Sequence, residues 1–238
     1  MLFPVHAVGS PGPLPASANQ VSVKSAGGDL LHGVHIPGRA KKTLILGFGG
    51  NAWNGSDVAA FLHDLYPEAE VIAFHYRGYR PSAGRPSAAA LMADAPLVYD
   101  FAVGRVESQR VVAAGFSIGS GVAASLAGKR PLDGLILVTP FDSLKAAAAD
   151  LYPWLPIGPF FEHEIDAAML LEGNEVPVAV LAAEHDSLIR PARTDGLRRQ
   201  LANLVYDRTI RDAGHNDIYT RGEFHQAMRE ALDAVSPE

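Results

Sequence analysis

The strongest constraint in this 238-residue chain is a rhythm: short apolar runs alternate with stretches whose apolar residues recur at helical spacing. The runs are Thr43-Leu44-Ile45-Leu46, Glu70-Val71-Ile72-Ala73-Phe74, Arg110-Val111-Val112-Ala113-Ala114, Leu135-Ile136-Leu137-Val138, Val178-Ala179-Val180-Leu181 and Leu204 to Ile210. Consecutive apolar residues leave a strand no polar face to turn toward water. Such strands are covered on both sides, which is the condition of a mainly parallel sheet. Between them, Val58, Phe61, Leu62 and Leu65 repeat at i, i+3, i+4 and i+7. Leu91, Val98, Phe101 and Ala102 suggest a second helix, and Ile118 to Ala127 a third, built of small residues. Phe224, Met228, Leu232 and Val235 make a closing amphipathic helix. Proline lacks an N–H and clashes with the preceding turn, so the second helix is expected to start at Pro96, with Asp94 near its cap. Val21 to Lys24, Gly27-Gly28-Asp29 and Leu30 to Val34 read as an antiparallel hairpin. The expectation is an α/β fold: a mostly parallel sheet of about eight strands with helices on both faces.

Residues 1–18, rich in Pro and Gly, are expected as an irregular, mobile arm, and residues 19–238 as a single domain. Ala16-Ser17-Ala18 mimics a leader cleavage site, but no basic residues precede it and prolines interrupt any apolar stretch, so processing is the lesser reading. No apolar run approaches the ~18 residues a membrane helix needs. At 48% hydrophobic residues, a disordered chain is excluded. The lack of cysteine excludes a disulfide framework, a thiol nucleophile and Cys-ligated zinc. Twenty basic against 26 acidic residues, net −6, argue against a nucleic-acid partner.

Gly115-Phe116-Ser117-Ile118-Gly119 matches G-x-S-x-G between an apolar strand and a small-residue helix. A serine at the tip of so sharp a turn takes a strained backbone, and side chains two residues to either side would collide with it, so both positions favour glycine. The turn lifts the hydroxyl clear and aims the Ile118 amide, at a helix N-terminus, toward an incoming oxyanion. A hydroxyl nucleophile needs a base, and the base a carboxylate to orient it. Among nine histidines, His215 in Ala213-Gly214-His215-Asn216-Asp217 follows the last strand, and Asp186 follows the strand of Val178 to Leu181. Parallel strands direct their C-terminal loops to one edge, so Ser117, Asp186 and His215 are expected to meet there. Asp142, after the preceding strand, is a rival acid; Asp212 and Asp217 only flank the histidine loop. A second oxyanion amide is expected from the loop Gly47-Phe48-Gly49-Gly50-Asn51-Ala52-Trp53-Asn54, with Asn51 the first choice and Ala52 its neighbour in register.

That loop also fits G-x-G-x-x-A, the fingerprint of a dinucleotide site, with Glu68 and Glu70 about 20 residues on. The ribose-binding acid should close the second strand, however, and these two precede it. His32 and His35 are three apart on a strand and point to opposite faces, so no metal site is expected there. Gly128-Lys129 lacks the glycine a phosphate loop has six residues before the lysine-proximal end, Ala123 standing in that place. No cofactor is called for.

Gly50-Asn51-Ala52, Tyr76-Arg77-Gly78-Tyr79, Gly115 through Gly121, Pro140-Phe141-Asp142-Ser143-Leu144, Tyr152-Pro153-Trp154-Leu155-Pro156, Asp186 and Gly214-His215-Asn216-Asp217 together resemble the α/β-hydrolase superfamily. Within it they resemble the small-lid group of abhydrolase-domain depalmitoylases and their bacterial relatives, over residue 20 onward. The resemblance implies Ser117 as nucleophile, Asp186 as acid, His215 as base, in the chain order that superfamily uses, with Ile118 and Asn51 as oxyanion donors. Four departures stand out, one of them the usual glycine of the acid loop, replaced within Ala182-Ala183-Glu184. The family's His-Gly-Asn-Ala is Gly49-Gly50-Asn51-Ala52 here, His75 replaces the aspartate before Tyr76, and Arg80 stands where glycine is common. Family members often carry a membrane-anchoring N-terminal segment; the expectation here is a cytoplasmic protein, with an anchored or exported form as the alternative.

Residues 141–175 form a long connection with Tyr152, Trp154, Phe160 and Phe161 among prolines, which is expected to be a small lid. Trp53, Phe141 and Trp154 are candidate pocket residues, Trp53 equally suited to covering a helix. The expected activity is hydrolysis of an ester or thioester of a small-molecule or acyl substrate through an acyl-enzyme. The alternatives are a peptidase, with Glu162 and Glu164 as amine-recognising acids, and a non-catalytic binding protein on the same fold. Nothing in the residues encodes an oligomeric state.

Overall fold

The computed structural model describes residues 3–40, 42–154, 158 and 161–237. The hairpin is β1 (Asn19–Lys24) and β2 (Leu30–Ile36). There follow β3 (Thr43–Phe48), α1 (Gly55–Leu65), β4 (Glu70–Phe74), α2 (Ala88–Arg105), β5 (Arg110–Phe116), α3 (Ile118–Ala127) and β6 (Gly134–Val138). Two short helices, α4 (Leu144–Leu151) and α5 (Ala167–Leu171), lie between β6 and β7 (Val178–Ala183). The chain continues through α6 (Pro191–Arg198), β8 (Leu204–Ile210) and α7 (Gly222–Val235).

Among the described residues the strands form one sheet in the order β1-β2-β4-β3-β5-β6-β7-β8. β2 runs antiparallel to β1 and β4; from β4 to β8 every pairing is parallel. β4 lies on one side of β3 and β5 on the other, so the chain reverses its direction across the sheet at this point. Loops leaving the C-terminal ends of β3 and β5 therefore diverge and open a crevice between them. Side chains alternate between two cores. Leu44, Leu46 and Phe48 join the layer that also holds residues of α2 and α3. Ile45 joins the layer under α1 and α7. The Tyr66 hydroxyl, just past α1, donates to the Met228 carbonyl of α7 at 2.5 Å and ties the two helices together.

Three expectations are corrected. Helix α2 does not begin at Pro96 but runs through it, capped by Ser87, whose Oγ accepts from the Ala90 amide at 3.0 Å. The proline deprives the Met92 carbonyl of its helical donor, and Lys129 Nζ supplies one at 3.0 Å. Asp94 is no cap; it accepts from Arg77 Nε at 3.0 Å. The N-terminal arm is irregular but packed, with Phe3 buried and the Gly12 amide donating to Asp57 Oδ1 at 2.8 Å. Helix α6 had no apolar pattern to reveal it: only Thr194, Gly196 and Leu197 are buried. Among the described residues no helix is long and apolar enough to cross a membrane.

Candidate active site

The elbow is built by sterics. Ser117 has φ +52° and ψ −119°, between β5 and α3. A Cβ on Gly119 would lie 2.0 Å from the Phe48 carbonyl oxygen, and one on Gly115 would lie 2.4 Å from the Gly119 oxygen. Both distances are far inside contact, so only glycine lets α3 start this close to β3. The turn is then locked. The Ser117 amide donates to the Val138 carbonyl at 2.9 Å, and the Ser117 carbonyl accepts from Ser120 through its amide at 2.9 Å and its Oγ at 2.6 Å. Ile118 heads α3, so its amide is among those a helix leaves without an intrahelical acceptor.

His215 Nε2 lies 3.1 Å from Ser117 Oγ, and His215 Nδ1 lies 2.7 Å from Asp186 Oδ2. The other carboxylate oxygen of Asp186 accepts from the amides of Leu188, at 2.9 Å, and Ile189, at 2.7 Å. Asp186 and His215 are buried while Ser117 is partly open to solvent. With Nδ1 donating to the carboxylate, Nε2 is left as an acceptor for the serine hydroxyl. The three groups thus form a line along which a proton can pass from the hydroxyl to the ring while the carboxylate faces the charge that develops.

The loops that carry the acid and the imidazole are fastened to each other. The His185 amide donates to the Ala213 carbonyl at 2.8 Å and the Asp212 amide to Glu184 Oε2 at 2.9 Å. Asp217 accepts from the Gly214 amide at 2.6 Å and pairs with Arg221. These bonds, the Arg221 contact first, hold its carboxyl below the usual carboxylate range. Asp217 therefore shapes the histidine loop. The rival acid Asp142 is engaged elsewhere, with Arg193 at 3.2 Å and the Ser143 amide at 2.8 Å. His185 is exposed, and with Glu184 and Asp212, also exposed, it brings ligand atoms within 4.8 Å of one another at the surface.

The loop after β3 comes up against the elbow: a Cβ on Gly50 would sit 3.8 Å from that of Ser117. Two tyrosines of the Tyr-Arg-Gly-Tyr segment hold this loop. Tyr76 donates to the Gly49 carbonyl at 2.8 Å, and Tyr79 reaches both the carbonyl, at 2.7 Å, and Oδ1, at 2.9 Å, of Asn51. Burial drives both phenols well above their ordinary pKa, so they stay protonated donors. The sequence marked these tyrosines only as part of a resemblance. Their task shows only once the β4 loop is seen under the β3 loop.

His75 occupies the end of β4. Its Nδ1 accepts from the Gly55 amide at 3.3 Å, and its Nε2 lies 3.1 Å from Ser56 Oγ, so a neutral imidazole caps α1. Tyr219 is a further residue that the sequence did not single out. It packs against Trp53 and Phe116 at centroid distances of 5.3 and 6.1 Å. Burial, with the Asp186 charge adding to it, pushes its phenol up to about 12.

The pocket candidates fare differently. Trp53 is half-buried and packs against Phe61, Phe116 and Tyr219, so it covers α1 and the underside of the elbow. Phe141 is corrected: it is fully buried, 3.0 Å from where a Cβ on Gly121 would be, and has no surface to offer a ligand. Trp154 is corrected too: it is 76% exposed and set edge-on to Tyr152, so among the described residues nothing encloses it as a pocket wall. Leu155, Pro156 and Phe160 lie outside the described residues. Glu164 accepts from Ser143 Oγ at 3.1 Å beside the start of α4, which commits it to the fold. Glu70, the ribose acid of the dinucleotide reading, is buried and 2.5 Å from His35 Nε2, out of reach of any ribose.

The chain is 31% identical over 221 residues to an uncharacterized protein of Mycobacterium tuberculosis, covering 87% of this chain and 78% of that one. It is 29% identical over 230 residues to the lysophosphatidylserine lipase ABHD12 of Rattus norvegicus, covering 82% of this chain but only 57% of the lipase. Among solved structures, an esterase of Pyrococcus furiosus superposes with a TM-score of 0.72 at 19% identity, covering 91% of this chain and 90% of that one. A proline iminopeptidase-related protein of Thermus thermophilus gives a TM-score of 0.74 at 19% identity, covering 92% and 99%. These last two likenesses concern the fold. No family model matches the chain. With a switch-point crevice at the C-terminal rim of such a sheet, and relatives of this kind in sequence and in fold, the chain belongs to the α/β-hydrolase superfamily.

Proposed function

We propose that this protein is a serine hydrolase that cleaves carboxylic esters or thioesters through an acyl-enzyme. The observation that carries the reading is the hydrogen-bonded line from Ser117 through His215 to Asp186. Ser117 Oγ attacks the substrate carbonyl as His215 Nε2 takes its proton, and Asp186 stabilises the imidazolium. The tetrahedral oxyanion is received by the Ile118 amide and by the loop at Asn51. His215 then gives its proton to the leaving alcohol or thiol, and a water molecule repeats the attack to free the acid. The connection 141–175 serves as a lid, and residues 19–238 as one catalytic unit. A lipase acting on a lysophospholipid among the relatives supports a substrate with an apolar acyl group.

The test is a fluorophosphonate probe together with p-nitrophenyl ester and acyl-thioester substrates. Labelling at Ser117 is expected, with Ser117→Ala unlabelled and inactive. Asp186→Asn should fold and lose about 10⁴ in turnover. Undiminished ester turnover by purified Ser117→Ala would refute the assignment.

A further inference from the structure

An acyl substrate needs an apolar seat near Ser117, and the start of the N-terminal arm is held in the apolar layer on the lid side of the sheet. Phe3 is 4% exposed and stands edge-on to His163, in the connection between α4 and α5, at 5.2 Å. It belongs to the same apolar cluster as Ile118, Ile165 and Ile189, and Val5 and Val8 pack against that cluster. These three members of the cluster are informative. Ile118 follows Ser117, Ile189 donates its amide to Asp186, and Ile165 packs over Gly121, one turn along α3 from the elbow.

Beyond Val8 the arm changes faces of the sheet. Asn54 Nδ2 donates to the Gly9 carbonyl at 3.3 Å, Gly12 binds Asp57, and Leu14 and Ala18 pack against the opposite cluster. Asn54 and Asp57 cap and open α1, just past the C-terminal end of β3. The crossing therefore runs over the rim of the sheet that carries Ser117, from the lid side to the side of the loop holding Asn51.

Residues 3–8 are bound there in a manner that permits release. Their backbone bonds close within the arm, Val5 N to Phe3 O at 3.0 Å and Ala7 N to Pro4 O at 2.8 Å, while their outward contacts are apolar packing and the ring of His163. Among the described residues, lifting them away strands no backbone donor in the seat and leaves it open for another apolar group.

We propose that residues 3–8 are an internal competitor for the seat that receives the apolar tail of the substrate, so that a long acyl chain must displace Phe3, Val5 and Val8 before it is cleaved. A short acyl group reaches Ser117 without entering the seat. The kinetic half of this inference rests on the ester reading above; the binding half does not.

Phe3→Ala and, separately, Val5→Ala with Val8→Ala are compared with the parent chain on p-nitrophenyl acetate and decanoate. Each variant should raise kcat/KM for decanoate about tenfold, the lower range of what burying such side chains is worth, and leave acetate within about twofold. Calorimetry of decanoate binding in the Ser117→Ala background should show a matching gain of about tenfold in affinity when Phe3 is replaced. Equal changes on both esters, or weaker handling of decanoate, would overturn the proposal by making Phe3 part of the seat's own wall. If no variant cleaves either ester, the assignment of Ser117 falls, and an unchanged decanoate affinity would then separately overturn the competitor. Should Phe3→Ala fail to fold, seen by thermal melting, the valine pair carries both measurements.

Discussion

The clearest quantitative expectation concerns His75 and acid. Burial, reinforced by nearby His32 and only partly offset by Asp57, pulls its imidazole from 6.5 down to about 4. The geometry gives the reason. Nδ1 accepts the Gly55 N–H at the positive end of α1, so a proton on that nitrogen would set two donors face to face. In the unfolded chain the ring takes up its proton near pH 6.5; in the folded chain it resists until about pH 4. The unfolded state thus binds more protons between those values, and stability is lost as the pH drops through that window. His75 costs the fold nothing above pH 6.5, and by about pH 4 the loss reaches about 3 kcal/mol, at about 1.36 kcal/mol for each tenfold change in proton activity. His75→Asn keeps an acceptor where Nδ1 was and does not titrate. Urea unfolding followed by tryptophan fluorescence, at steps from about pH 8 to about pH 4, should show the two proteins diverging only in the acidic half, where the variant gains the difference. Parallel curves would refute the argument, since the remaining titrating groups are common to both.

Two further outcomes test the supports of the site and of α2. Tyr79→Phe removes the donor to Asn51 while keeping the ring, and should lower kcat for ester hydrolysis about tenfold with KM little changed; an unaltered kcat would show that the loop holds its shape without it. Lys129→Met strands the Met92 carbonyl above Pro96 and should cost about 1 kcal/mol in urea unfolding. The same change made beside Pro96→Ala should cost clearly less, because the helix then supplies the donor itself.

How far the sequence could be read depends on the range of the forces involved. The elbow was legible because its sterics are local: Gly115, Ser117 and Gly119 fall within five residues, and strand and helix frame them directly. The parallel sheet was legible because fully buried strands leave uninterrupted apolar runs. Pro96 misled because the donor that rescues Met92 comes from Lys129, on a different helix boundary and with no local mark. Phe141 and Trp154 looked alike as aromatics near a proposed lid, yet one is sealed under α3 and the other stands in solvent, a difference made entirely by tertiary packing. Phe3 is the same lesson reversed: in a stretch full of prolines and glycines, one ring finds a core that other segments build.

The tie between Tyr66 and Met228 has a consequence for biogenesis. Helix α7 covers one side of β6, β7 and β8, and Ile136, Val138, Ala179 and Leu181 share its apolar layer. On the ribosome those strands emerge before the helix that shields them, and so does the α1 surface on which it docks. A nascent chain halted after β8 would present this greasy sheet face to water, so the arrival of the last helical turns is what ends its exposure to aggregation.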